Sequence, residues 1–177
     1  RRRGALTVLE RGSAHIEAQA QLLADAYRAA GLKPLLPPPS IVARELAEYQ
    51  RADLIAVPSA FVAETFLARG FRPERLLINP YGVDLERFRP APELAPGLAV
   101  LFVGRASIRK GAHLLLEAFA GLEDPSARLD FVGPVEPELE PWFARCRDPR
   151  VRRHGPRPQA ELPPLYRSAS LFCLPSY

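Results

Sequence analysis

Short apolar runs that end in a turn and give way to apolar residues at helical spacing recur along this chain, and few folds accommodate that alternation. The sharpest instance is Leu101-Phe102-Val103-Gly104-Arg105-Ala106-Ser107-Ile108-Arg109-Lys110-Gly111. Leu98 to Val103 reads as a buried strand, short and β-branched or aromatic toward its end. Beyond the turn, Ala112, Leu115, Leu116 and Phe119 fall at i, i+3, i+4 and i+7, one apolar face of a helix. Gly104 to Gly111 is therefore a strand-to-helix turn at the carboxyl end of a strand, where α/β sheets bind ligands. A helix start there offers unpaired N–H groups and a positive dipole end. Arg105 and Lys110 add cations to the same turn, and the combination suits a dianionic group such as a diphosphate.

The same pattern runs on both sides of this unit. Leu6 to Glu10 and Asp53 to Val57 read as strands, and Leu76-Leu77-Ile78 as a brief one. Ile16, Ala20, Leu23 and Tyr27 mark a helix that stops at Gly31, a second helix covers about Ile41 to Arg51, and a third is capped by Ser59 and ends at Gly70. Asn79 to Gly97 is proline-punctuated and reads as a linker. The alternation then restarts, with strands near 99–103, 128–132, 150–153 and 170–174 and helices near 111–121, 137–146 and 162–169. Strands alternating with helices imply parallel sheets and right-handed crossovers. The expected architecture is α/β with two units, residues 1–78 and 98–177, joined by 79–97.

Composition narrows the chemistry. The chain has 24 Lys+Arg, yet Lys33 and Lys110 are its only lysines. A sequence so biased to arginine supplies arginine wherever any surface cation will do, so Lys110 suggests a site that wants a compact ammonium. The plainer alternative is a solvated lysine near a helix start. A net charge of +4 spread along the chain favours anionic ligands or surfaces only weakly. No apolar run is long enough for a membrane-spanning helix. Cys146 and Cys173 are isolated, which fits a reduced cytoplasmic setting, with peripheral attachment at the inner membrane face still open. His15, His113 and His154 lack metal-ligand spacing, so no metal is expected, and His113 is assigned to the helix surface. The sequence has no Met, opens on Arg1-Arg2-Arg3 and stops at Leu174-Pro175-Ser176-Tyr177, a pattern expected of a fragment.

Several of these pieces together resemble a known family. They are Asn79-Pro80-Tyr81-Gly82-Val83-Asp84 with Phe88-Arg89-Pro90, Phe102-Val103-Gly104-Arg105 with Lys110-Gly111, Leu114-Leu115-Leu116-Glu117-Ala118-Phe119, and Leu129-Asp130-Phe131-Val132-Gly133. Val151-Arg152-Arg153-His154-Gly155, Leu165-Tyr166-Arg167-Ser168-Ala169 and Leu171-Phe172-Cys173-Leu174-Pro175-Ser176 continue the series. In this order, from about Asp53 to Tyr177, they resemble the retaining GT-B glycosyltransferases of group 1. The resemblance implies two Rossmann-like parallel-sheet domains facing across a cleft, the N-terminal one truncated here and the C-terminal one nearly complete. It implies a nucleotide-diphosphate sugar as substrate rather than a cofactor, and a glycan, lipid or small molecule as acceptor. Gly104, Arg105 and Lys110 would hold the diphosphate, Arg105 and Lys110 acting on the leaving group. His154, Gly155 and Pro156 would lie where main-chain groups receive the nucleobase. The family's acidic pair would follow Ser176 and is not in these 177 residues, so the fragment itself is expected to be inactive.

Two further readings stand beside this one. Glu10-Arg11-Gly12-Ser13-Ala14-His15 enters a helix at a strand end, and a similar Arg-Gly-Ser-x-His piece occurs in some members of the family. His15 is accordingly a candidate catalytic residue touching donor sugar or acceptor; the alternative makes Ser13 the helix cap and leaves His15 exposed. Among enzymes, a GT-B phosphorylase or nucleotide-sugar epimerase shares the expected fold, but the Gly-Arg…Lys-Gly turn with its following Pro-Ser strand end favours transfer. The rival of a different class is a non-catalytic basic α/β module for nucleotides or nucleic acid, drawn from the crowd Arg145, Arg147, Arg150, Arg152 and Arg153. These arginines lack interleaved aromatics in sequence and read as solvated surface, so nucleic acid is not the expected partner.

Overall fold

The computed structural model describes residues 4–90 and 97–177 and divides into two compact units, Arg1–Gly82 and Val83–Tyr177. The division falls inside the expected connection 79–97, of which 91–96 lie outside the described residues. Among the described residues no helix is long and apolar enough to cross a membrane.

In the first unit, β1 (Val8–Glu10), β2 (Leu54–Val57) and β3 (Leu76–Ile78) form a parallel sheet in the order β1-β2-β3. The middle strand Leu-Ile-Ala-Val is buried at Ile55, Ala56 and Val57, whereas Leu6 and Val8 on the edge side stay exposed. Helices α1 (Ile16–Ala29), α2 (Pro39–Arg51) and α3 (Ala60–Leu67) connect the strands. The second helix starts two residues earlier than expected because Pro39, with its fixed φ and no N–H to satisfy, suits a first turn. Ser59 caps α3 by accepting from the Val62 N–H at 3.3 Å. At the end of α2, the Arg75 guanidinium donates to the carbonyls of Tyr49 and Ala52, both at 2.6 Å, satisfying groups the helix leaves open. The core gathers Ile16, Tyr49, Ile55, Val57, Val62, Phe66 and Phe71.

In the second unit, β4 (Ala99–Val103), β5 (Arg128–Val132), β6 (Val151–Gly155) and β7 (Leu171–Phe172) pair in parallel in the order β6-β5-β4-β7. The chain adds β5 and β6 on one side of β4 and then crosses to lay β7 on the other. Central β4 is apolar throughout and buried from Ala99 to Phe102. Helices α4 (Ala112–Ala120), α5 (Glu140–Arg145) and α6 (Leu162–Arg167) follow the strands. The helix α4 matches its apolar pattern to within a residue at each end, whereas α5 is shorter than expected because residues 137–139 form a separate 3₁₀ turn. Pro137 and Pro141 cannot donate backbone hydrogen bonds, which limits α5 to little more than one turn.

Candidate functional site at the strand ends of the second unit

Between β4 and β7 the direction in which strands are added reverses, and the crevice outside such a switch point is where open α/β sheets bind ligands. Three loops meet there. Gly104 N–H donates to the Val132 carbonyl at 2.9 Å, Ala106 N–H to Pro134 at 2.9 Å, and Glu136 N–H back to Ala106 at 2.9 Å. Gly133 N–H donates to Gly155 at 2.9 Å, so the ends of β4, β5 and β6 are joined in series. A Cβ at Gly133, where φ is 133°, would lie 2.1 Å from the Gly104 carbonyl oxygen. Two backbones approach there too closely for a side chain at residue 133, while Gly104 is required by its φ of 142°.

The turn itself has a built interior. Ser107 caps residues 108–110, its Oγ accepting from the Lys110 N–H at 3.3 Å. The Ile108 N–H donates to Glu138 Oε1 at 2.8 Å. Gly111 then takes a left-handed conformation, with φ of 63°, to start α4. The expected unpaired N–H groups of the turn are therefore fewer than its length provides. A carboxylate of this chain holds one, and Ser107 with Gly111 redirects others, leaving the N-terminus of α4 proper. Neither Glu136 nor Glu138 was singled out from sequence; their signal is the recurrence of a glycine after β5, which marks a second loop at the same sheet edge.

The candidate cations differ. Arg105 pairs with Glu136 and is exposed, with 66% of its side chain accessible. Lys110 is half-buried, and its ammonium has no partner among the described residues. An exposed ion pair contributes little and exchanges readily for another anion, so Arg105 is held loosely and Lys110 is uncommitted. Gly155 lies at the carboxyl end of β6, but the His154 ring reaches across to β5, where Nε2 meets Asp130 Oδ1 at 2.6 Å. His154 is the extra residue of a bulge, because Phe131 faces Arg153 and Val132 faces Gly155. Its side chain is thus engaged on the sheet, and only the neighbouring main chain stands at the strand end. Among the described residues no group of three or more His, Cys, Asp and Glu side chains could hold a metal ion.

The remaining sequence candidates fall elsewhere. His15, in the first unit, is only 1% exposed and is itself the cap of α1, its Nδ1 accepting from the Glu17 N–H at 3.3 Å. Its ring packs 5.0 Å from both Tyr49 and Phe66 and 5.8 Å from Phe71. Both readings of His15 are corrected: Ser13 does not cap the helix, and an imidazole enclosed by three aromatic rings is not displayed to donor or acceptor. Burial, with Arg69 nearby, pulls its pKa down to about 4, so the ring is neutral. His113 is also buried, at 4% exposure, correcting its assignment to the helix surface. The arginine crowd is largely spent on the protein. Arg150 binds Asp148 and the carbonyls of Leu122 and Asp124, Arg153 holds Glu140 and lies over Phe143, and Arg145 lies over Trp142.

Residues 97–177 match the family described as glycosyl transferases group 1. The chain carries a group 1 glycosyltransferase domain. Relatives extend the similarity across most of the chain. It is 35% identical over 167 residues to the D-inositol 3-phosphate glycosyltransferase of Streptomyces bingchenggensis, covering 78% of this chain and 37% of that protein. The enzyme of the same name from Corynebacterium glutamicum is 28% identical over 166 residues, covering 78% of this chain and 40% of that protein. The chain thus spans well under half the length of the curated relatives it matches. Among solved structures, sucrose-phosphate synthase from Thermosynechococcus elongatus superposes with a TM-score of 0.69 at 22% identity, over 96% of this chain and 44% of that one. HepE from Anabaena, solved with UDP-glucose, gives 0.62 at 25% identity, over 77% and 41%. The fold of the chain is of the GT-B type.

Proposed function

We propose that this protein transfers a sugar from a nucleotide-diphosphate donor to a glycan, lipid or small-molecule acceptor, with retention of anomeric configuration. The observation that carries the reading is the uncommitted Lys110 ammonium, on a glycine-flanked turn at the topological switch point and one residue before the left-handed start of α4. HepE was solved with UDP and with UDP-glucose, and the curated relatives are named as glycosyltransferases, which supports a donor of this class.

The chemistry follows from charge. Breaking the bond between the anomeric carbon and the diphosphate leaves the electron pair on a phosphate oxygen. Fixed cations and helix N–H groups stabilise that charge as it grows. Lys110 supplies a point charge, while Arg105 releases Glu136 to take a second phosphate oxygen in its planar fork. The main chain at Gly155 and Pro156 receives the base, and the nucleotide sugar is consumed as substrate. The 1H NMR spectrum of the first sugar product formed from α-linked UDP-glucose by the intact enzyme, of which these residues are part, tests the stereochemistry. An α product agrees with the proposal, and a β product overturns retention.

A further inference from the structure

We infer that His113 is a positioning residue: its ring locks the segment that leaves β7 onto the cationic turn, so that residues 175–177 and Lys110 move as one body. The link to ligand rests on the proposed function; the lock itself rests on geometry alone. Gly111 is where the two pieces touch most closely. A Cβ there would stand 2.0 Å from the Pro175 carbonyl oxygen and 2.8 Å from its carbon, so only glycine permits the contact. Two residues on, the Tyr177 N–H donates to the Arg109 carbonyl at 3.1 Å. The Tyr177 ring then lies nearly parallel to His113, at 18° and 6.3 Å between centroids. The other side of His113 meets Trp142 edge-on at 5.8 Å. Trp142 is fixed in turn by its Nε1–H, which donates to Glu117 on α4 at 3.0 Å.

His113 thus sits between α5 and residue 177, on the first turn of the helix that follows Lys110. It is buried, yet its Nδ1 has no hydrogen-bond partner. The ring is therefore held by its faces and edges, since offset and edge-on packing between two aromatic partners fixes its orientation. Burial holds the imidazole below its usual pKa against the opposing pull of Glu117 and Glu138, so the stack is one of uncharged rings.

The experiment compares hydrogen exchange at the residue 177 amide and UDP affinity in the chain and in His113→Ala and His113→Phe. The amide is expected to exchange about tenfold faster in His113→Ala and to recover to within about twofold in His113→Phe, which keeps a ring in the stack. UDP binding is expected to weaken about tenfold in the first and to recover in the second. Unchanged exchange in His113→Ala overturns the lock, as does a His113→Phe variant that exchanges as fast as His113→Ala. Faster exchange with unaltered UDP affinity overturns the coupling to the turn. If His113→Ala fails to fold, as fluorescence of the single tryptophan Trp142 reports, Tyr177→Ala removes the stack from its outer side. It must then show the same acceleration at residue 177, and normal exchange there overturns the lock. If UDP fails to bind the unaltered chain, the proposed function falls, while the exchange data still decide the lock.

Discussion

Two histidines show how much a single residue's role depends on what surrounds it. His15 and His113 look alike in sequence, each beside the start of a helix, and both are buried and uncharged. For His15 the consequence is a pH dependence of definite sign. In the unfolded chain the imidazole takes its proton near 6.5, but in the fold it does so only near 4. Between those values the unfolded state binds more protons, so stability falls as pH falls through this window. Above it the ring is neutral in both states and the contribution is constant; below it both are charged and the loss is complete. The full effect is about 3 kcal/mol for a shift of this size. NMR titration of His15 should report a midpoint near 4. Protection factors in the first unit, which are exchange rates corrected for the intrinsic slowing in acid, should fall as pH drops from 6.5 toward 4, and fall less in His15→Asn. The aromatic cage makes a second prediction. Phe66 is fully buried against His15, Tyr49 and Phe71, so Phe66→Ala should destabilise the first unit by about 3–5 kcal/mol in urea unfolding.

Among the elements, the turns at the strand ends carry the most specific geometry. Gly133→Ala must both hold a side chain at φ 133° and displace the Gly104 carbonyl, whereas Gly104→Ala, at φ 142°, meets open space. Backbone strain alone costs about 1–3 kcal/mol at either position. Urea unfolding followed by Trp142 fluorescence should therefore show a lower midpoint for both variants and a distinctly lower one for Gly133→Ala. Strand positions were legible in the sequence to within a few residues, because short apolar runs bounded by glycine and proline have few alternatives. The 3₁₀ turn at Ile108–Lys110 was less so: Ser107 caps it and Gly111 separates it from α4, an internal order that apolar periodicity does not register. His113 was misplaced for a related reason. The face opposite Leu115 and Phe119 packs on Trp142 and Tyr177, and contacts that distant in sequence leave no period behind.

For the whole molecule, two parallel sheets with helical crossovers followed from alternation alone, and strand order did not. The reversal that lays β7 beside β4 creates the switch point, and local sequence does not encode which edge a strand joins. Gly104, Arg105 and Lys110 were legible as members of one strand-to-helix turn, because a glycine ends the apolar run of β4 and apolar periodicity restarts at Ala112. The Glu136 and Glu138 contacts were not, since they depend on two loops being brought side by side. Of the arginines that suggested a nucleic-acid surface, Arg145, Arg150 and Arg153 are engaged with carboxylates, carbonyls and rings of their own unit. The central claim is that Lys110 meets the diphosphate of a nucleotide. Calorimetric titration with UDP, of the unaltered chain and of Lys110→Ala, tests it most directly, with a single-stranded oligonucleotide as the competing ligand. Loss of one charge-assisted hydrogen bond, about 1.5–3 kcal/mol, predicts UDP binding weakened roughly tenfold to two-hundredfold in Lys110→Ala. Equal UDP affinity in the two proteins, or strongly salt-dependent oligonucleotide binding that outcompetes UDP, would contradict the account.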